Sequence, residues 1–454
     1  MDDTRNFHGS IIDIPLSIID EKPELTTLVE ATNMQSDDNA SNLSNKILSK
    51  LSRGYTLFTV IKVISYTINE TSLILPYCLI KLGIFPFFLF LILFSLLSIY
   101  IFYLMIDNVV KHNLFNNFHR IIEEKTNKCF ILSYYIICTV YHVLILIFEN
   151  YIFLSLCQNS LDYFQIKTEF VILEKILLIL MSITLIDYPL SFFNYFEKPD
   201  ILYIFITFFI VVFNITAIIF VVMNKSNDNI TFNKINYFEK ISKDYLTCFS
   251  IIIPLIGWQS QISNHLSDFK IKTSKRFHKV VYLFFIIQFF FITFICLASS
   301  TLLGGKEGDG VIYSLDYNKL NLNSLLIVEI MCIIFGLLIH FIIAYHIQSI
   351  KKYITLILKL TIYKKKGEDF EINRNFFIGT NLFFLLFSGI INVLIKDISI
   401  IIILYGGVFS GIVNFIFPIA LYWSMVSKNS LVTWIGWFIC LIFLSLGILG
   451  VVLC

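Results

Sequence analysis

The sequence predicts an all-α membrane protein with eleven transmembrane helices, and three observations lead to that prediction. The chain of 454 residues is 57% apolar, against about 45–50% in ordinary soluble domains. Charged residues make up 15% of it, against about 25% in such domains. From Tyr55 onward, apolar runs of the ~20 residues that a bilayer requires follow one another. This composition excludes a soluble enzyme, and the net charge of +2 gives no reason to expect a nucleic acid as partner.

The chain divides into a polar tail, residues 1–52, and a transmembrane domain, residues 53–454. The tail is rich in Asn, Asp, Ser and Thr and carries no apolar run long enough for a signal peptide. We therefore expect it to be disordered and cytoplasmic. The predicted spans of the second region are Tyr55–Leu79, Ile84–Ile106, Phe130–Leu156, Phe170–Leu190, Ile201–Met223, Tyr245–Ile262, Val280–Leu302, Ser324–Ile347, Phe376–Leu394, Ile398–Ser424 and Leu431–Val452.

The distribution of basic residues predicts the orientation of these spans. With the amino terminus inside, 21 Lys and Arg residues lie in the tail and the cytoplasmic loops, and 9 lie in the opposite loops. Cytoplasmic loops of membrane proteins carry such an excess. The sequence therefore predicts a multi-pass membrane protein with a cytoplasmic amino terminus. It leaves open whether the membrane is the plasma membrane or an internal one of vacuolar or lysosomal type.

Two of the predicted spans are interrupted by polar and helix-disrupting residues. The first contains Asn69, Glu70, Thr71 and Ser72 before Pro76, and the sixth contains Pro254 and Gly257 before Trp258, Gln259 and Ser260. Backbone groups freed at such breaks must line a cavity or lie inside protein. Interruptions at matching places in two halves predict an inverted-repeat transporter with its site between the halves. The alternative interpretation is a pair of simple kinks.

Several short motifs in these spans resemble the amino acid/auxin permease family. They are Leu75-Pro76-Tyr77, Lys81-Leu82-Gly83, Ser274-Lys275-Arg276-Phe277, Leu303-Gly304-Gly305, Gln348-Ser349-Ile350, and Asp397 through Tyr422 with Gly406-Gly407, Gly411 and Pro418. The resemblance extends over most of Tyr55–Val452. It implies two inverted five-helix repeats with helices 1 and 6 broken, and one extra helix. Members of the family often have a glycine pair where this chain has Asn69 and Thr71.

The resemblance implies ion-coupled secondary active transport of amino acids by alternating access, with a proton or sodium as coupling ion. We expect the substrate to bind at Asn69, Glu70, Thr71, Ser72, Trp258, Gln259 and Ser260, where helix amino termini favour a carboxylate and freed carbonyls favour an ammonium group. Two alternatives remain: an amino acid sensor that does not transport, and a membrane-embedded acyltransferase-like enzyme with His340 as its buried base. We expect no catalytic residue, and leave the oligomeric state open.

Ionisable residues inside spans are costly and are functional candidates by default. Glu70 and Glu149 are the candidates for ion coupling. His142 precedes Glu149 by two helical turns on the same face, so the two could line a cavity; the alternative is an interfacial Glu149 and a His142 that reaches the membrane surface. Glu329, His340 and His346 are expected at the interface, and Asp187 and Asp397 in structural roles. The nine Cys residues show no metal-binding spacing, so no metal or cofactor is predicted.

Overall fold

The computed structural model describes the chain in a series of segments. They are residues 59–61, 63–65, 74–111, 118–163, 171–192, 200–224, 236–240, 242, 244–257, 273–300, 322–361, 374–395, 398–425 and 431–453. All of these residues belong to the compact unit Phe58–Cys454. The predicted tail, residues 1–52, lies outside them.

The described segments form helices joined by turns, with no strand, which confirms the all-α prediction. The α-helices are α1 (Leu75–Leu82), α2 (Ile84–Lys111), α3 (Phe118–Lys125), α4 (Lys128–Tyr163), α5 (Val171–Ser182), α6 (Tyr188–Leu190), α7 (Asp200–Asn224), α8 (Asp244–Ile256), α9 (Ser274–Ser300), α10 (Leu322–Thr361), α11 (Arg374–Leu394), α12 (Ser399–Ile402), α13 (Phe417–Met425) and α14 (Leu431–Leu453). π-helical turns join α5 to α6 at Ile183–Asp187 and join α12 to α13 at Ile403–Ser410 and Ile412–Ile416.

Six helices among the described residues are long and apolar enough to cross a membrane. Two shorter apolar helices, Ile204–Phe213 and Asp244–Ile256, accompany them. The chain therefore has the helices of a multi-pass membrane protein. The count of eleven spans and the inverted repeat stay predictions, and residues 66–73, which contain the first predicted break, lie outside the described part of the chain.

The outer surface of the helical unit is apolar. Phe290 is 68% exposed, Phe438 65% and Leu177 52%, each on a different helix. Large exposed apolar patches are rare on soluble monomers. Polar side chains such as Glu149, Glu329 and His340 are instead fully buried. This inversion of the usual soluble pattern fits helices that face lipid on the outside and carry their polar groups between them.

The turn between α1 and α2 depends on a glycine. Gly83 has φ of +84°, a conformation that a residue with a Cβ rarely adopts. The turn directs the N–H groups of Ile84 and Phe85 to the carbonyl oxygens of Asn236 and Tyr237, each over 3.1 Å. The first N–H groups of a helix have no partner within it, so the segment just before α8 supplies the partners for α2.

The axial core of the molecule is the pair α4 and α10, which run antiparallel and pack along much of their length. Ser160 contacts Glu329 near one end, His142 contacts His346 further along, and Tyr135 packs against Tyr353 near the other end. In each contacting pair the two residue numbers add up to nearly the same value, so the two antiparallel helices keep one packing register. This register determines which polar groups share a level.

Candidate functional site

The residues predicted to bind substrate lie outside the described part of the chain. This applies to Asn69, Glu70, Thr71 and Ser72 of the first span, and to Trp258, Gln259 and Ser260 of the sixth. Asp397, the predicted helix cap, also lies outside it. The described residues on either side of the two breaks are Ile74, which precedes α1, and Gly257, which follows α8.

The carboxyl end of α8 leads directly into the second predicted break. Two of its last carbonyl oxygens accept hydrogen bonds from side chains of other helices. The hydroxyl of Ser98 on α2 donates to the carbonyl oxygen of Ile256 over 2.9 Å, and the amide nitrogen of Gln288 on α9 donates to that of Leu255. Each of these oxygens therefore has a side-chain donor from another helix.

A column of buried ionisable residues follows the contact between α4 and α10. Glu149 and Glu329 are both fully buried, and His142 is 8% exposed. Glu149, Glu329 and His346 are all buried between helices, and their expected depth at the membrane interface stays a prediction. The alternative interpretation, in which His142 and Glu149 share the inner face of one helix, agrees with their burial.

His142 and His346 form one layer of this column. Their Nδ1 atoms lie 2.9 Å apart, a hydrogen-bond distance at which one ring donates and the other accepts. The accepting ring must then be neutral, so the pair carries at most one positive charge. The ring of Tyr353 stacks on His142 at 5.7 Å between centroids. The two histidines lie 204 positions apart in sequence, which is why each was considered alone at the level of the sequence.

Asp187 and His340 form a second layer. Nδ1 of His340 lies 2.7 Å from Oδ1 of Asp187, and the Ser182 hydroxyl donates to Oδ2 of the same carboxylate over 2.7 Å. The Asp187 and His340 side chains are both 0% exposed. The π-helical turn Ile183–Asp187 directly follows Ser182. Such turns are frequent at functional sites.

The free side of the His340 ring has no hydrogen-bond partner among the described residues. Its Nε2 atom is buried and unsatisfied, and the ring of Phe153 on α4 covers the imidazole at 4.4 Å between centroids. Phe153 reaches it across Gly336, where a Cβ would meet the Phe153 ring at 3.6 Å. His340 lies on the inner side of α10 against the π-helical turn, and its expected depth at the membrane interface stays a prediction.

Neutral polar side chains surround these layers on the α11 side. Asn150 donates to the Ser388 hydroxyl over 2.9 Å, and Asn392 donates to the carbonyl oxygen of Ile147 over 2.8 Å. Amides and hydroxyls at helix contacts are common where no water reaches the backbone. They hold α11 against α4, and so fix one wall beside the layer of His340.

Within the described part of the chain, no group of three His, Cys, Asp or Glu residues could hold a metal ion. The polar layers among the described residues are pairs, His142 with His346 and Asp187 with His340. Sequence reasoning missed the pairing of Asp187 with His340. The available signal was that both are ionisable residues within apolar runs, which marks each as functional but does not pair them.

Comparison with models of protein families finds no match for this chain, and comparison with curated proteins finds none either.

Proposed function

We propose that the protein is a secondary active transporter of amino acids, coupled to a proton or sodium ion, that works by alternating access. The observation that carries the proposal is the fully buried Asp187–His340 pair in a multi-helix membrane protein. Ionisable groups in such positions cost several kcal/mol and characteristically mark ion pathways. The class of substrate rests on the resemblance of the sequence, above all the Gly406-Gly407, Gly411 and Pro418 pattern.

The physical basis for substrate binding is the pair of predicted breaks in the first and sixth spans. An amino-terminal helix end offers free N–H groups and a positive dipole to the carboxylate of an amino acid. Ser98 and Gln288 already donate to the last two carbonyl oxygens of α8, so we expect the substrate ammonium group to find its partners in the break that follows Gly257. Gln259 and Ser260 follow at once in the sequence. Movement of one helix bundle against the other then exposes the site to each side in turn.

Uptake of radiolabelled amino acids into proteoliposomes of the purified chain tests the proposal. A transporter accumulates at least one amino acid, and the variant Gln259→Leu binds it more weakly while reaching the membrane in normal amount. A sensor gives a different result: an amino acid raises the melting temperature, because a ligand that binds the folded state stabilises it, but no uptake follows. The proposal would be contradicted if no amino acid stabilised the protein and none were taken up.

One observation favours a second function, a membrane-embedded enzyme. A histidine held at Nδ1 by a carboxylate, with Nε2 free, has the orientation of a general base. In the described residues, however, Nε2 of His340 has no hydroxyl or thiol nucleophile as partner, so a substrate hydroxyl would have to supply it. The variant His340→Ala distinguishes the two functions, because an enzyme loses a chemical turnover where a transporter loses solute flux.

A further inference from the structure

We infer that the coupling ion is a proton, that the Asp187–His340 pair binds it, and that Nε2 of His340 is the atom that gains and loses it. This deepens the proposed function and rests on it. The coupling site then lies between the π-helical turn and α10, apart from the predicted breaks. The sequence placed the coupling candidates elsewhere, at Glu70 and Glu149.

The hydrogen bonds around Asp187 show how many protons the Asp187–His340 pair holds in each state. Oδ2 accepts from Ser182 and Oδ1 accepts from the Nδ1–H group of His340. With a lone pair on Nε2, the ring is neutral and the pair carries one negative charge. With a proton on Nε2, the ring is a cation and the pair is neutral. The two states therefore differ by one proton at one atom.

Neither state is fully satisfied in the described conformation. The deprotonated pair leaves a carboxylate charge buried between membrane helices, which is costly without a compensating cation. The protonated pair removes that charge, but its new Nε2–H group has no acceptor among the described residues. A buried donor without a partner costs about 1–3 kcal/mol. Proton binding therefore favours a second conformation in which water or the substrate carboxylate meets Nε2, and that dependence is what coupling requires.

Other ionisable groups near His340 bear on the same charge balance. The register of α4 against α10, set by the contacts His142–His346 and Ser160–Glu329, places Glu149 close to the level of His340 on the α4 side. Along α10, Glu329 lies eleven residues away and His346 six, which is about 16 Å and 9 Å in a helix. On the side of α10 that faces α7, the contact is between aromatic rings, since Phe209 of α7 stacks on Phe335 of α10.

The ligand chemistry favours a proton over sodium. Hard metal cations bind through several oxygen atoms. Within the Asp187–His340 pair, both carboxylate oxygens accept hydrogen bonds, and the atom without a partner among the described residues is a nitrogen. A nitrogen lone pair of an imidazole exchanges a proton within the physiological pH range.

The first test measures accumulation of a mixture of radiolabelled amino acids by proteoliposomes of the full chain under an imposed pH gradient. A solute coupled to one proton accumulates up to about tenfold per pH unit, since 1.4 kcal/mol is a factor of ten. We expect His340→Gln and Asp187→Asn to reduce this ratio to about one while exchange of labelled for unlabelled amino acid continues. The control Glu124→Gln, a carboxyl change at an exposed position on α3, should keep the ratio. Accumulation that follows a sodium gradient, or an unchanged ratio in His340→Gln, would overturn the inference.

The second test needs no transport. The imidazole nitrogens of the parent in lipid nanodiscs are followed by ¹⁵N NMR after histidine labelling, and the His340 signal is the one that His340→Gln removes. We expect this signal to report both protonation states of the ring as the pH is varied, and Asp187→Asn to change the balance between them. A His340 ring in a single protonation state throughout would overturn the inference. Titration without any amino acid uptake by the parent would instead leave the proton site standing and reject the proposed function.

Discussion

The backbone carbonyl oxygen of Ser250 on α8 lies against Gly406 in the π-helical turn Ile403–Ser410. A Cβ at position 406 would overlap that oxygen, and it would also lie 3.3 Å from Cγ of Pro254. The carbonyl oxygen of Ser250 cannot accept the usual helical hydrogen bond, because Pro254, four residues further on, has no N–H group. Pro254 leaves the Ser250 carbonyl oxygen without a helical donor, and Gly406 has no Cβ that would overlap this oxygen. The two residues therefore belong to the same contact, although 152 positions separate them in sequence.

This contact predicts that Gly406→Ala destabilises the protein more than an ordinary glycine change. The new methyl group meets backbone rather than a flexible side chain, so two helices must separate, at a cost of about 1–3 kcal/mol or more. Gly411→Ala is the matched control five residues further on, because a Cβ there meets nothing within 4 Å. Thermal unfolding in detergent should show a lower melting temperature for Gly406→Ala alone. Equal melting temperatures for the two variants would contradict the close approach.

The capping of α8 predicts a second difference. Ser98→Ala leaves the carbonyl oxygen of Ile256 buried without its hydroxyl donor, which costs about 1–3 kcal/mol. Ser445→Ala is the control, because the Ser445 hydroxyl is exposed and donates within its own helix to Leu441. SDS titration in mixed micelles measures both unfolding free energies. Ser98→Ala should lose stability and Ser445→Ala should not, and a similar loss in both would show that the Ile256 oxygen does not depend on Ser98.

Hydropathy predicted the helices well where one apolar run corresponds to one helix. The run Ile84–Ile106 lies within α2 and the run Phe376–Leu394 within α11. The run Ser324–Ile347 falls short, since α10 continues to Thr361. Its 40 residues extend for about 60 Å, twice the ~30 Å hydrocarbon core. Hydropathy reports only the part that prefers lipid, and no Pro or Gly after Ile347 ends the helix there.

The site was predictable only in part, because its chemistry depends on contacts between distant positions. The sequence marks Asp187, His340 and His346 as ionisable residues in apolar runs. It does not reveal that the π-helical turn aims Asp187 at His340, because hydropathy along one helix carries no information about its neighbour. The same limit applies to the carbonyl oxygens of Leu255 and Ile256, whose side-chain donors come from helices α9 and α2.

The excess of basic residues predicts that residues 364–366, the run Lys364-Lys365-Lys366, face the cytosol. A cysteine introduced in this run should resist an impermeant maleimide applied to intact cells that carry the protein at their surface, and should react after the membrane is permeabilised. The charge distribution is the physical reason, since basic loops are retained on the cytoplasmic side. The control is a cysteine at Lys319, in a loop predicted outside. Efficient labelling at 364–366 in intact cells would reverse the predicted topology.

The His142–His346 contact predicts a strong coupling between two substitutions. His142→Leu leaves Nδ1 of His346 buried without its partner, and His346→Leu does the same to His142, so each should cost about 1–3 kcal/mol. The double variant removes both polar groups and leaves an apolar contact, which can be nearly neutral. SDS titration of the parent, both single variants and the double variant therefore should give a double variant less destabilised than the sum of the singles. Changes in unfolding free energy at residues without shared partners add, so the variant that combines His142→Leu with Ser445→Ala supplies the reference for additivity. Additive losses in the histidine pair would mean that the two rings do not share a proton, and the 2.9 Å distance between their Nδ1 atoms would then carry no hydrogen bond.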